Sequence, residues 1–186
     1  YPKKQDDTVL IGIYSPVKRC LQTSFALLLG QLLSQKAKVL YLNFETFSGF
    51  SNCFKKETAD LSDLLYFLKH DPDKFIFKLS GMVQSMNGLH IIPAALSFID
   101  LASIPCKQWE TLLQEIKNSC QYEYIVLDLS DYIQGLFELL RMCQKVYTIT
   151  REEGISQAKI RQYEKVLTEL SFSDVLEKTI TCKFPE

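Results

Sequence analysis

A chain of 186 residues that is 47% hydrophobic is long enough for one domain with a sizeable core. Its 21 basic and 22 acidic side chains leave a formal net charge of -1, which argues against a dominant nucleic-acid-binding surface. Six cysteines without a C-x-x-C pair and only two histidines argue against a zinc site and point to reduced, mostly buried thiols; no signal peptide or bilayer-length apolar run is visible.

In chain order, residues 1–7 read as a polar linker, and a receiver-like domain is expected upstream of them. Short apolar runs rich in β-branched and aromatic residues predict strands over 8–14, 38–43, 89–92, 124–128, 146–150 and 179–183. Helical periodicity predicts helices over 23–35, 61–69, 72–79, 107–118, 132–143 and 155–169. The first of these is apolar nearly all round, as expected of a helix packed on a sheet. Pro72 stands in the first turn of the third, with Asp71 as its cap. The apolar residues of 64–68 and 75–77, and Trp109, are expected to pack in the core. Alternation of strands and helices predicts an α/β fold, a doubly wound and mostly parallel sheet with helices on both faces. Residues 8–186 form one such domain by this reading, with further C-terminal helices expected beyond it.

Ligands of such sheets bind at the carboxyl ends of the strands, and three of those ends carry polar residues here. The first strand runs into Ser15-Pro16-Val17-Lys18-Arg19-Cys20-Leu21-Gln22-Thr23-Ser24 and then a helix, which is the setting of a phosphate-binding loop. Laid on G-x-x-x-x-G-K-[ST], the segment has Pro16 and Leu21 at the glycines and Gln22 at the lysine; Thr23 stands at the magnesium-binding hydroxyl. Proline has no N–H, leucine resists a left-handed turn and glutamine has no charge, so the loop is a poor catalyst of phosphoryl transfer. The second strand ends in Asn43-Phe44-Glu45, and the strand over 124–128 ends in Asp128 after a hydrophobic run, the pattern of a carboxylate that supports a magnesium shell. An aspartate at a strand end also serves as a turn former or helix cap.

These segments together resemble the MinD/ParA family of deviant P-loop ATPases (the SIMIBI type of P-loop NTPase), and within it the CpaE/TadZ branch of pilus-assembly and localisation proteins. The family loop reads K-G-G-x-G-K-[ST]-[ST], often after Ser-Pro. Ser15-Pro16 and the hydroxyl pair Thr23-Ser24 match, whereas Val17 replaces the signature lysine, Lys18, Arg19 and Leu21 replace glycines, and Gln22 replaces the second lysine. Asn43-Phe44-Glu45 occupies the D-x-D position and Asp128 matches the Walker B aspartate, with Ser130 where a proline often follows. The segments 88–94 and 151–156 resemble family segments before and after the Walker B region.

The resemblance implies a nucleotide site at Lys18, Arg19, Cys20, Leu21, Gln22, Thr23 and Ser24. It implies ATP as ligand, magnesium held by Thr23 and Asp128, and Glu45 as the candidate catalytic carboxylate. It further implies a homodimer, pilus or secretion-assembly partners, and a cytoplasmic protein recruited to a pole or membrane-associated site. Two functions follow. One is a non-catalytic localisation and scaffold protein with ATP as a structural or dimerisation ligand. The other is an atypical active ATPase using Lys18 and Arg19 in place of the missing lysines. A related bacterial tyrosine kinase would carry a tyrosine-rich tail, which this sequence lacks. Lys159, Arg161 and Lys165 share their helix with Glu164 and Glu169 and read as a solvated mixed face.

Overall fold

The computed structural model describes residues 8–46, 49, 59–95, 97–119 and 122–183. The strands are β1 (Val9–Ile13), β2 (Val39–Asn43), β3 (Gln84–Met86), β4 (Leu89–Ile92), β5 (Tyr124–Asp128), β6 (Lys145–Thr150) and β7 (Thr179–Lys183). The helices are α1 (Gln22–Ser34), α2 (Leu61–His70), α3 (Phe75–Met82), α4 (Phe98–Ser103), α5 (Cys106–Ser119), α6 (Leu136–Met142), α7 (Gly154–Glu169) and α8 (Ser173–Glu177). The seven strands form one sheet in the order β3-β4-β2-β5-β1-β6-β7, parallel throughout except for β3. The expected doubly wound α/β architecture is therefore the observed one.

The near-continuous apolar strands are those of a sheet covered on both faces. One face carries the larger core, in which Leu10, Leu40, Leu42, Ile125 and Leu127 meet α2, α3, α5 and α6. Trp109 of α5 lies at its centre, edge-on to Phe44 with ring centroids 5.1 Å apart. The other face presents Ile11, Ile13, Tyr41, Ile91 and Val126 mainly to α1.

Several elements differ from the sequence expectation. α1 has no charged residue, yet only Ala26 and Gly30 are fully buried, while Leu28 and Leu32 are 59% and 63% exposed. It covers its part of the sheet as a single layer, so among the described residues its outer side has nothing to pack on. The helix expected over 132–143 begins only at Leu136. Gly135 takes a left-handed φ of 80° before it, and a Cβ there would stand 2.2 Å from the Cys106 sulfur. The helix expected over 72–79 is a 3₁₀ turn, Pro72–Lys74, followed by α3, and the Asp71 carboxylate pairs with Lys74 at 2.9 Å instead of capping. Among the apolar residues of α2 and α3, Leu64, Leu65 and Phe75 are buried as expected, but Tyr66 and Phe77 are exposed.

Three short elements were not anticipated. β3 pairs with β4 through a tight turn at Asn87 and Gly88, both at positive φ, the Asn-Gly signature of a two-residue hairpin. α4 is capped by Ser97 Oγ, which accepts from the Ile99 N–H at 3.2 Å. α8 is fixed by Arg141, which donates to both carboxylate oxygens of Asp174 and lies over the Phe172 ring. Cys20 and Cys143 are buried free thiols and Cys106 and Cys182 are half-buried ones; Cys53 and Cys120 lie outside the described residues, as does the expected 1–7 linker. No helix of the described residues is long and apolar enough to cross a membrane.

Candidate functional site

The loop between β1 and α1 is anchored at its start. Ser15 Oγ donates to the Ile149 carbonyl at 2.5 Å and accepts the Val17 N–H at 3.0 Å. Val17, at the position of the signature lysine in the resembling family, is 4% exposed and packs in the core that contains Ile11, Ile13 and Ile149. Cys20 is buried in the same core. Arg19 and Leu21, both at family glycine positions, adopt φ of 57° and 61°. The loop therefore holds two left-handed residues without glycine, at a cost of about 1–2 kcal/mol per residue. The dry anchors at Ser15, Val17 and Cys20 hold it there. Lys18 donates to Asp131, which also accepts the Tyr14 hydroxyl at 2.5 Å, so this ammonium is engaged beside the loop.

Beneath the loop lies a polar floor made by the sheet register, which sets Ile13, Asp128 and Asn43 side by side. Gln22 Nε2 donates to Asp128 Oδ1 at 2.6 Å and to the Leu129 carbonyl at 2.8 Å. Tyr41 donates its hydroxyl proton to Asp128 Oδ2 at 2.8 Å and accepts from Asn43 Nδ2 at 2.9 Å. Asn43 Oδ1 in turn accepts the Glu45 N–H at 2.7 Å, closing the turn after β2. Asp128 and Asn43 are fully buried. Burial pushes the Asp128 carboxyl up to about 6, against the opposing hydrogen bonds from Gln22, Tyr41 and Thr23. The Tyr41 phenol is raised by burial first and by the Asp128 charge second.

Above this floor opens a cavity of about 330 Å³, a size within the range of small-ligand sites. Residues 18–24, named from the sequence as the nucleotide site, all line it, together with Ser15, Val17, Glu45, Leu129 and Ser130. No side chain caps α1, so the first-turn N–H groups of Gln22, Thr23 and Ser24 lack an intrahelical acceptor at the cavity wall. Asp128 is not part of that wall, but Gln22 and Thr23, which are, both hydrogen-bond to it, so the predicted Thr23 and Asp128 pair is brought together. Among the described residues no group of three or more His, Cys, Asp or Glu is placed to hold a metal ion.

The structure thus brings the three strand ends together and puts Glu45 at the cavity, half-buried. Sequence reasoning missed Tyr41 and Asp131. Tyr41 was accessible by strand alternation, two residues before Asn43 on the same face; Asp131 carries no local signal. Leu21, Tyr132 and Ile155 are large apolar residues, 60%, 52% and 72% exposed, in the segments that follow β1, β5 and β6. On α7, Lys165 pairs with Glu169 at 3.6 Å, in keeping with a mixed solvated face.

No protein-family model and no curated protein matches the chain. Solved structures do match in fold. A ParA family ATPase from Chlorobium tepidum superposes with a TM-score of 0.75 at 17% identity, over 95% of this chain and 73% of the other. A plasmid partition protein from Borrelia burgdorferi bound to AMPPNP gives 0.68 at 16% identity, over 97% and 88%. The MinD cell division protein of Aquifex aeolicus gives 0.67 at 19% identity, over 95% and 69%. The fold is that of the ParA/MinD-type P-loop ATPases.

Proposed function

We propose that this chain is a catalytically silent ParA/MinD-like positioning protein that takes ATP as a structural ligand and serves in the localisation and assembly of a pilus or secretion apparatus. One observation carries the silent part. The two positions that deliver cations to phosphate in the resembling family hold Val17, which is buried in the core, and Gln22, which is bonded back to Asp128 and Leu129. Neither can neutralise charge developing in phosphoryl transfer, and loss of such groups typically lowers rates by orders of magnitude.

Retained binding is supported by the left-handed residues at the family's glycine positions, the open first turn of α1 and the exposed Arg19 guanidinium at the cavity. Neighbours of the same fold include one bound to AMPPNP and an ATP complex of McdA from Cyanothece. Cell-division MinD, a plasmid partition protein and McdA are neighbours, which supports a positioning role over metabolic turnover. The pilus or secretion role rests on the sequence resemblance alone. A homodimer through the cavity face is favoured by exposed Leu21, Tyr132 and Ile155, and by basic Lys18 and Arg19 on a face that also carries acidic Glu152 and Glu153. Of the alternative, an active enzyme using Lys18 and Arg19, the ion pair of Lys18 with Asp131 counts against the lysine.

Phosphate release with saturating ATP, measured beside thermal melting, tests the reading. The expected result is a higher melting temperature with ATP and no turnover that depends on Glu45. Turnover abolished by Glu45→Gln would establish the enzyme instead.

A further inference from the structure

Lys18 lines the cavity, yet its ammonium is paired with Asp131, which stands outside the wall. The two ends of this pair differ in freedom. Asp131 follows Leu129 and Ser130, and both are pinned. The Leu129 N–H donates to the Ile13 carbonyl at 2.9 Å, and Ser130 Oγ donates to the Phe44 carbonyl at 2.6 Å. Asp131 Oδ1 accepts the Tyr14 hydroxyl at 2.5 Å. Tyr14 is buried, donates its own N–H to the Tyr147 carbonyl at 3.1 Å, and packs at a tilt on Tyr163 with ring centroids 5.3 Å apart. Burial first and Asp131 second raise the Tyr14 phenol, which keeps it a donor. The carboxylate is therefore fixed in place. The ammonium is not. Buried Val17 and Cys20 hold the backbone on either side of Lys18, but its side chain is 61% exposed and ends on Asp131 Oδ2. Lysine carries a point charge on a flexible stem, and an exposed ion pair is held only weakly in water. An anionic ligand in the cavity offers the same ammonium several charged oxygens.

Resting on the nucleotide-binding reading above, we propose that Asp131 is a positioning residue that parks Lys18 in the empty site, and that the polyphosphate of the ligand takes the lysine from it. Asp131 is then an internal anion that competes with the ligand. It lowers the affinity of the cavity for phosphate by holding one of the two cationic side chains at the wall, Lys18 and Arg19. Only the lysine side chain has to move, because the loop around it and the carboxylate are both anchored.

The test is calorimetric titration of the full chain with ATP in excess magnesium at low salt. It compares the wild type, Asp131→Asn, Lys18→Ala and the protein carrying both changes. Asparagine keeps an oxygen that can accept the Tyr14 hydroxyl, and thermal melts check that all four proteins are folded. Asp131→Asn is expected to tighten binding about two- to fivefold, the worth of an exposed ion pair, in the presence of Lys18. In the Lys18→Ala background the same change is expected to leave the affinity where it was. Equal tightening in both backgrounds would show that Asp131 acts through its field and not through the lysine, and would overturn the proposal. Unchanged binding by Asp131→Asn would mean that the lysine never leaves, and weaker binding that Asp131 aims it at the ligand; either would overturn the proposal too. In all three cases the nucleotide reading stands, because ATP is bound. No binding of ATP by any of the four proteins would overturn both.

Discussion

The β1–α1 loop and the floor beneath it are opposites built from neighbouring residues. The loop holds two non-glycine residues at positive φ, exposes Lys18, Arg19 and Leu21, and leaves the N–H groups of a helix end open. The floor of Tyr41, Asn43 and Asp128 is dry, and each side chain is bonded to the next. Gln22 joins them, rooted in the helix and donating into the floor. The contrast teaches that a loop can hold left-handed residues without glycine, provided its anchors are carried by the core.

The sharpest way to break the contrast is to put a cation back where the family has one. Val17→Lys would bury an ammonium beside Ile11, Ile13 and Ile149, and should cost about 4 kcal/mol or more in denaturant unfolding. An unchanged midpoint would mean that the side chain escapes into the cavity and that Val17 is no anchor. Asp128→Ala should cost about 3 kcal/mol, because the Gln22 amide and the Tyr41 hydroxyl are left facing an apolar gap. A loss well under 1 kcal/mol would show the floor to be held by packing alone.

The pH dependence of the floor has a definite sign. Asp128 titrates at about 6 in the folded chain against 3.8 in the unfolded one, so the folded state holds the extra proton between those values. Its contribution is fully present below about pH 4 and is lost as pH rises through 6, a change of about 2–3 kcal/mol. Asp128→Asn should lack this slope when unfolding free energies are compared across the window; an identical slope in both proteins would assign the titration elsewhere. The smallest expected effect is a gain. Arg19→Gly relieves a left-handed residue and should stabilise by about 0.5–1 kcal/mol after the entropy of the unfolded glycine is counted. A destabilisation would mean that the guanidinium is a structural part of the loop.

Much of the fold was legible because parallel strands buried on both faces are written as short apolar runs, as in Leu10–Ile13 and Ile125–Leu127, and their alternation with helices leaves few arrangements. The position of the site followed from the same logic, since Asn43 and Asp128 end neighbouring strands and Thr23 opens the helix that follows β1, so the topology must gather them. The direction of Gln22 was not legible. Read as a substitution, it is a lost lysine; only the register of β1 against β5 shows that its amide falls on Asp128. The start of α6 was hidden for a similar reason. The periodicity runs on through Tyr132, and what stops it is the close approach of Gly135 to Cys106, a contact between elements. The β3–β4 hairpin was readable from Asn87-Gly88 and lost among short polar strands.

The position of β1 in the sheet bears on how the molecule comes together in time. Its neighbours are β5 and β6, and the bond from Thr8 to Tyr122 at its foot spans 114 residues. On the ribosome the run Val9–Ile13 emerges well before its partners β5 and β6 and waits for them, whereas β3 and β4 pair across a two-residue turn. We expect β1 to dock late in refolding, so that the loop it feeds is among the last parts to take shape. Pulse-labelled hydrogen exchange would show Ile11 and Ile13 amides gaining protection after those of Leu89 and Ile91; simultaneous protection would contradict it. A pause in synthesis before β5 would then leave an apolar strand unpaired, and the cell would meet this protein first as a client of its chaperones.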